Sequence, residues 1–248
     1  MKGLPEKILR WIFIATVLTT IEVLVRFNLV DRIFLTSPSL IAAAAWQSLF
    51  AGDLISLSLK TVSAVGMAFV IAAGIGLSAG YVLWRYPLFG RAYDELLGAL
   101  FASPLILLYP ISLVILGRGI NAIIAMAFLP GMIPIALNTH QGLRDVNPTY
   151  LKAGRGMRLT ERQIMRHVLL PAASPLIFGG LKLGLTYILI SVIALEFLVE
   201  IGGIGTLASK GYFWFNTEEL YVGVAGAIFL SIIFVYLLGK AESRLFSS

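Results

Sequence analysis

Long apolar runs alternate along this chain with short polar segments, and several of the runs are close to the roughly 20 residues that a membrane-crossing helix requires. The first, Trp11 to Val30, follows Lys2, Lys7 and Arg10. It has no small-x-small cleavage site and is interrupted by Glu22 and Arg26, so it reads as an uncleaved first helix. Those two charges stand i, i+4 and can pair, with anchoring rather than transport as their expected role. Thr36-Ser37-Pro38-Ser39 is a cap-and-proline helix start. The stretch it opens, Leu40 to Phe50, is too short to span, which predicts an interfacial helix.

A second span runs near Thr61 to Trp84, where Gly76 and Gly80 give the GxxxG spacing that lets helices approach closely. After a polar turn, Arg85 to Glu95, a third runs from Leu96 to Leu116. Ser103-Pro104 and Tyr109-Pro110 should kink or unwind it, because each proline removes a backbone donor. These residues are either gate elements of a transport path or a packed kink. Gly117-Arg118-Gly119 turns the chain into a fourth span, Ile120 to Leu137, which Pro130 and Pro134 are expected to break. A basic interruption, Arg144 to His167, ends at Leu170-Pro171, and a fifth span follows at Leu176 to Leu198. A polar loop, Glu200 to Glu219, leads to the sixth, Tyr221 to Leu238. The pattern predicts an all-α integral membrane protein with about six transmembrane helices.

Composition agrees: 58% of residues are hydrophobic and 13% charged, against about 45–50% and about 25% in soluble domains. Mean hydropathy is +0.91. A chain of 248 residues holding that many spans has little room for a soluble catalytic domain, so residues 1–248 are expected to form one transmembrane domain in the lipid bilayer, with residues 1–10 a short cytoplasmic segment. The net charge of +6 comes from basic residues in short inter-span segments without aromatic interleaving, which the positive-inside rule explains without nucleic acid. That rule puts both termini, Arg85, Arg91 and the Arg144 to His167 segment in the cytoplasm of a bacterial-type inner membrane. Cysteine is absent, which removes thiolate metal sites and thiol catalysis. His140 and His167 fall at the cytoplasmic segment and suit a solvated or capping role better than a metal site.

The basic interruption carries Arg144, Lys152, Arg155, Arg158, Arg162 and Arg166 against Asp145 and Glu161, so it belongs in water. Asn147-Pro148 is a cap and first-turn proline. Gly154 and Gly156 loosen or end the helix it opens, and Thr160-Glu161-Arg162-Gln163 fits a capping box for a second. Ile164, Met165, Val168 and Leu169 share one face of that second helix, and Arg162 and Arg166 another. The product is a helix-turn-helix with small residues at its corner, suited to a groove on a partner. The alternative is a solvated loop that only enforces topology.

The stretch Leu151-Lys152-Ala153-Gly154-Arg155-Gly156-Met157-Arg158, followed by Leu170-Pro171 and Gly179-Gly180-Leu181-Lys182-Leu183, resembles the EAA loop of binding-protein-dependent ABC importer permeases. More narrowly, it is similar to the branch serving nitrate, sulfonate, taurine and bicarbonate. The resemblance covers nearly the whole chain and implies the type I importer permease fold, with a cytoplasmic coupling loop at about residues 140–171 seated in a cleft of an ABC ATPase dimer. It assigns the ATPase contact to Lys152, Ala153, Gly154, Arg155, Gly156, Met157, Arg158, Leu159, Thr160, Glu161, Ile164, Leu170 and Pro171. Aligned on Leu170-Pro171, the family's glutamate corresponds to Lys152, its two alanines to Ala153 and Gly154, and its glycine to Arg158. These departures suggest a second permease subunit with a more typical loop, a heterodimer rather than a homodimer.

The resemblance further implies an extracytoplasmic solute-binding protein that delivers a small organic or inorganic anion. No cofactor is expected on this chain; ATP and Mg belong to the ATPase. No catalytic constellation is visible, so the chain is not expected to be an enzyme. Gly203-Ile204-Gly205 to Lys210 only faintly resembles a phosphate loop. Glu196, near the end of the fifth span, either lines the path with Ser103, Pro104 and Tyr109 or caps the Gly202-Gly203 turn. The competing class, a secondary transporter driven by an ion gradient, usually shows internal repeats and midplane charges, and neither is clear here.

Overall fold

The computed structural model describes residues 6–31 and 33–246; Lys2 and the rest of residues 1–5 lie outside that range. Among the described residues, five helices are long and apolar enough to cross a membrane, Ile8–Arg26, Asp53–Arg85, Ile120–Arg144, Glu161–Val199 and Thr217–Arg244. A sixth crossing arises if the pair Pro87–Ala102 and Leu105–Leu116, bent by 80°, counts as one.

In chain order the helices are α1 (Glu6–Arg26), α2 (Pro38–Phe50), α3 (Asp53–Arg85), α4 (Pro87–Ala102), α5 (Tyr109–Leu116), α6 (Ile120–Arg144), α7 (Pro148–Gly156), α8 (Glu161–Ile164), α9 (Leu170–Val199), α10 (Ile204–Phe213) and α11 (Thr217–Phe246). A 3-10 turn, Leu105–Leu108, joins α4 to α5. Residues up to Lys60 with Glu196–Ile228 form one compact unit, and Thr61–Leu195 with Phe229 onward form the other, so α3, α9 and α11 contribute to both.

In the second unit, glycines set the helix spacing. A Cβ on Gly76 would lie 2.8 Å from Ile135 Cβ, and one on Gly80 would lie 2.5 Å from the Ala136 carbonyl and Thr139 Cβ. Gly180 and Gly184 bring α9 equally close to α6, where their Cβ atoms would meet Asn138 and Ile135 at 2.6 Å. The central helix is therefore α6: 56% of its apolar window is buried, against 28% for α3. This packing corrects one sequence expectation, because Pro130 and Pro134 lie inside an unbroken α6. Asn138 Nδ2 donates to the Pro134 carbonyl at 2.8 Å, and contacts from two flanking helices outweigh the two missing donors.

Leu170-Pro171, which closes the basic stretch in the sequence, lies inside a continuous helix. The helix runs unbroken over Glu161–Val199, 39 residues. A π turn at Met165–Leu169 lets the Leu170 N–H bond to the Met165 carbonyl, five residues back, so the proline enters where the ordinary register is already displaced. His167 Nδ1 lies 3.0 Å from the Gln163 carbonyl in this stretch, as a donor to it. Lys182 on α9 pairs with Glu242 on α11.

In the first unit the α2 start also differs in detail. Ser37 is the N-cap and Pro38 follows, but no Ser37 side-chain bond caps the helix. Glu22 of α1 supplies the acceptor, taking Ser39 N–H at 3.1 Å and Ser39 Oγ at 2.7 Å while pairing with Arg26 at 3.1 Å. Tyr221 Oη donates to the Phe34 carbonyl at 3.0 Å, fixing the start of α11 to the loop before α2.

Candidate functional site: the α7–α8 loop

Asn147 Oδ1 accepts the Thr149 N–H at 2.9 Å, and Pro148 occupies the first turn of α7, so the helix starts where its sequence says it should. At α8, Thr160 and Gln163 form a reciprocal capping box: Gln163 Oε1 accepts Thr160 N–H at 2.8 Å, and Thr160 Oγ1 accepts Gln163 N–H at 3.4 Å. These caps satisfy amides that would otherwise be unpaired, which gives two very short helices defined ends. Beneath them, Leu143, Val146, Ile164, Leu169, Ala173 and Ile177 form a buried cluster with Leu151, Leu159, Met165 and Val168 against it. The apolar face read from the sequence is thus the underside of the loop. Lys152, Ala153, Arg155, Gly156, Met157, Arg158, Thr160, Glu161, Arg162 and Arg166 are exposed, with Met157 at 74%. Leu170 is exposed at the far end of the π turn, beside Pro171.

The corner between the helices has a specific backbone form. Arg158 N–H bonds to the Arg155 carbonyl at 2.9 Å and Leu159 N–H to the Gly154 carbonyl at 3.1 Å. With Met157 as C-cap, that is a Schellman ending, and Arg158 stands at its left-handed position with φ +56°. Glycine is the residue that adopts this conformation freely. Gly154, by contrast, is buried in ordinary helix, and a Cβ there would make normal contacts with Ile164, Val168 and Leu159 at 3.5, 3.6 and 3.7 Å. The two small-residue departures from the EAA pattern therefore have opposite geometry: Arg158 fills a glycine position, and Gly154 an alanine position.

The sequence model of the family described as binding-protein-dependent transport system inner membrane component matches residues 71–241, from the middle of α3 into the last turns of α11. The chain belongs to that family. It is similar to the nitrate import permease protein of Synechococcus elongatus, 26% identical over 187 residues that cover 75% of this chain and 65% of that one. It is also similar to the glycine betaine/carnitine/choline transport system permease protein of Bacillus subtilis, 28% identical over 185 residues, 74% of this chain and 80% of that one. Among solved structures, the MetNI methionine ABC transporter in an inward-facing conformation matches with a TM-score of 0.60 and 25% identity, covering 76% of this chain and 92% of the other. Family membership makes this a multi-pass transport subunit, not an enzyme, and sets the ion-gradient reading aside.

In this permease, Ser103 and Pro104 lie at the 80° break, and Tyr109 starts α5 one turn beyond it. Ser103 is extended at ψ 142°, and its Oγ donates to the Ala99 carbonyl at 2.9 Å. Leu105 N–H bonds back to the Ser103 carbonyl at 2.8 Å, and Ser112 Oγ donates to the Tyr109 carbonyl at 2.7 Å, so local bonds replace those the prolines remove. Glu196 belongs to the other unit. Its side chain is 1% exposed, and its Oε2 accepts the Gly205 N–H at 3.0 Å. Thr206 Oγ1 donates to the Glu196 carbonyl at 3.0 Å. The carboxylate thus occupies the amino end of α10, the segment with a faint phosphate-loop look, and Gly203 at φ +104° has no room for a Cβ over it. In this arrangement Glu196 holds the turn between α9 and α10.

Sequence reasoning missed one polar feature. His140, expected to be solvated or capping, is 6% exposed, and its Nδ1 has no hydrogen-bond partner. It lines a cleft with Arg91, Asp94 and Arg144. These residues come from segments far apart in the chain, so no local pattern announces them.

Proposed function

We propose that this permease forms one half of the translocation path of an ATP-driven importer, and that the α7–α8 loop is its docking element for a cytoplasmic ATPase dimer. The carrying observation is a capped helical corner with an apolar underside and an exposed rim of Lys152, Arg155, Met157 and Arg158. Such a corner keeps its shape while its outer face remains available to a partner. Because α8 continues through the π turn into α9, displacement of the corner acts on a single helix about 58 Å long, at 1.5 Å per residue over 39 residues. ATP and Mg bind on the ATPase. Nucleotide that favours the closed ATPase dimer would shift the permease between inward- and outward-facing states through this rod.

The same reading places both termini and the loop in the cytoplasm, treats residues 1–248 as one permease domain, and has an extracytoplasmic binding protein deliver the cargo. Similarity to a nitrate permease favours a small anion. The betaine-type relative marks a zwitterion or cation as the other cargo class. Lys152 puts a cation where the family carries a carboxylate, and that exchange favours a heterodimeric partner permease with a typical acidic loop. Purifying the tagged chain from its native membrane tests both points. An ATPase and a second permease sequence should accompany it; absence of any ATPase overturns the function, and a single permease sequence overturns the heterodimer.

A further inference from the structure

The long helix that continues from the docking corner is held from opposite sides at one level. A Cβ at Gly180 would lie 3.0 Å from the Pro134 carbonyl, and one at Gly184 would lie 2.6 Å from the Gly131 carbonyl, so α9 meets α6 backbone against backbone. Lys182 lies midway between the two glycines in sequence. At about 100° of turn per residue, it stands on the face opposite to theirs. There it pairs with Glu242 of α11, both side chains being partly buried at 40% and 27% exposure. A lysine near the end of a span can reach water along its own helix. Here its ammonium is engaged instead by a carboxylate from a second helix.

Between that level and the corner, the helix is repaired where its sequence should weaken it. Pro175 has no N–H to give the Pro171 carbonyl, four residues back. Ser174 Oγ donates to that carbonyl at 2.7 Å, and the helix runs unbroken over Leu170–Val199. A displacement at the corner is therefore carried up to the level of Lys182.

We propose that this level is the pivot of the rod, and that Lys182 and Glu242 are positioning residues for the switch between inward- and outward-facing states. The proposal rests on the reading of the α7–α8 loop as the ATPase docking element. At 1.5 Å per residue, the arm from Glu161 to Lys182 is about 32 Å long and that from Lys182 to Leu195 about 20 Å. A sideways displacement of the corner then moves the Leu195 end in the opposite sense, by about two-thirds as much. The glycine face sets the separation of α9 from α6, and the ion pair holds α9 against α11 on the other side. Parting the two charges in a partly buried site would leave each without its partner, so the contact persists while the arms move. Without the pair, the same displacement shifts α9 as a whole instead of rocking it.

The test uses the chain purified with its ATPase in lipid nanodiscs. Spin labels are placed at Ile190→Cys on the far arm and Val114→Cys on α5, positions 59% and 86% exposed. Pulsed electron resonance measures the distance between them without nucleotide and with Mg-ATP trapped by vanadate. The parent distance should shift with nucleotide. Lys182→Gln and Glu242→Gln should each reduce that shift by about twofold or more. The ATPase should still copurify with both, since neither residue belongs to the docking corner. Lys182→Arg, and the exchanged pair Lys182→Glu with Glu242→Lys, should keep the shift. Thr186→Ala removes only a hydroxyl bonded to the Lys182 carbonyl at 2.9 Å and should also keep it. A shift that survives Lys182→Gln in full, or that is lost equally in Lys182→Arg, overturns the pivot and leaves the docking reading standing. A parent complex that contains the ATPase but whose distance ignores nucleotide overturns the docking reading, and the pivot with it.

Discussion

Replacing Arg158 by glycine should stabilise the loop that is proposed to meet the ATPase. Arg158 holds φ +56° at the left-handed position that ends α7. A side chain with a Cβ costs roughly 1–2 kcal/mol in that region, and glycine returns part of the gain because its unfolded chain is freer, leaving about 1 kcal/mol. The two Schellman bonds are made by main-chain atoms and survive the change. Little packing is lost, since Arg158 is exposed. Hydrogen exchange reads the effect locally: about 1 kcal/mol corresponds to roughly fivefold slower opening, at the amides of Arg158 and Leu159. Arg158→Ala removes the same charge but keeps the Cβ, so it should give no such protection. Equal protection by alanine and glycine would refute the backbone argument, and no protection by glycine would refute the conformation itself. In the assembled transporter, Arg158→Gly should preserve or raise substrate-stimulated ATPase activity; a collapse would show that the guanidinium makes a necessary contact.

Other substitutions probe the remaining supports. Gly154→Ala should raise stability by about 1–2 kcal/mol, the sum of helix preference and one buried methyl, because its Cβ meets neighbours at ordinary distances; a lower unfolding midpoint would contradict the packing described. Gly80→Leu should cost about 3 kcal/mol or more, lowering the midpoint by roughly 6–12 °C, since even a Cβ would lie 2.5 Å from Ala136 and Thr139 atoms. Glu196→Ala should destabilise by about 1–3 kcal/mol by leaving the Gly205 amide without its acceptor, and Glu196→Gln, which keeps an acceptor, should cost less. Equal stability of the two Glu196 variants, measured by thermal unfolding, would argue against a capping role.

Local signals were legible in the chain because they depend on neighbours in sequence. The Asn147 and Thr160 caps, the apolar face at Ile164 and Leu169, and the break at Ser103-Pro104 are of this kind, and each element forms at its signal. Where tertiary packing competes with local chemistry, sequence reasoning erred. Pro130 and Pro134, expected to break the fourth span, are carried through by a helix buried on two sides. Glu22 replaces Ser37 as the cap acceptor of α2, a partnership spanning 17 positions that no local motif encodes. The His140 cleft was invisible for the same reason. The role of position 158 was half visible: a glycine expected by family resemblance marked it, but its left-handed backbone appears only in the structure.

Docking of the α7–α8 corner on the ATPase is tested most directly by protection of a single thiol. The chain contains no cysteine, so Met157→Cys introduces a unique maleimide target at a site now 74% exposed. Trp214→Cys, at 81% exposed, serves as the control after α10. Assembly with the copurifying ATPase should slow labelling at position 157 by tenfold or roughly more, as expected for a buried interface residue, and leave position 214 unchanged. Labelling at position 157 that proceeds at the same rate with and without the ATPase would contradict the account.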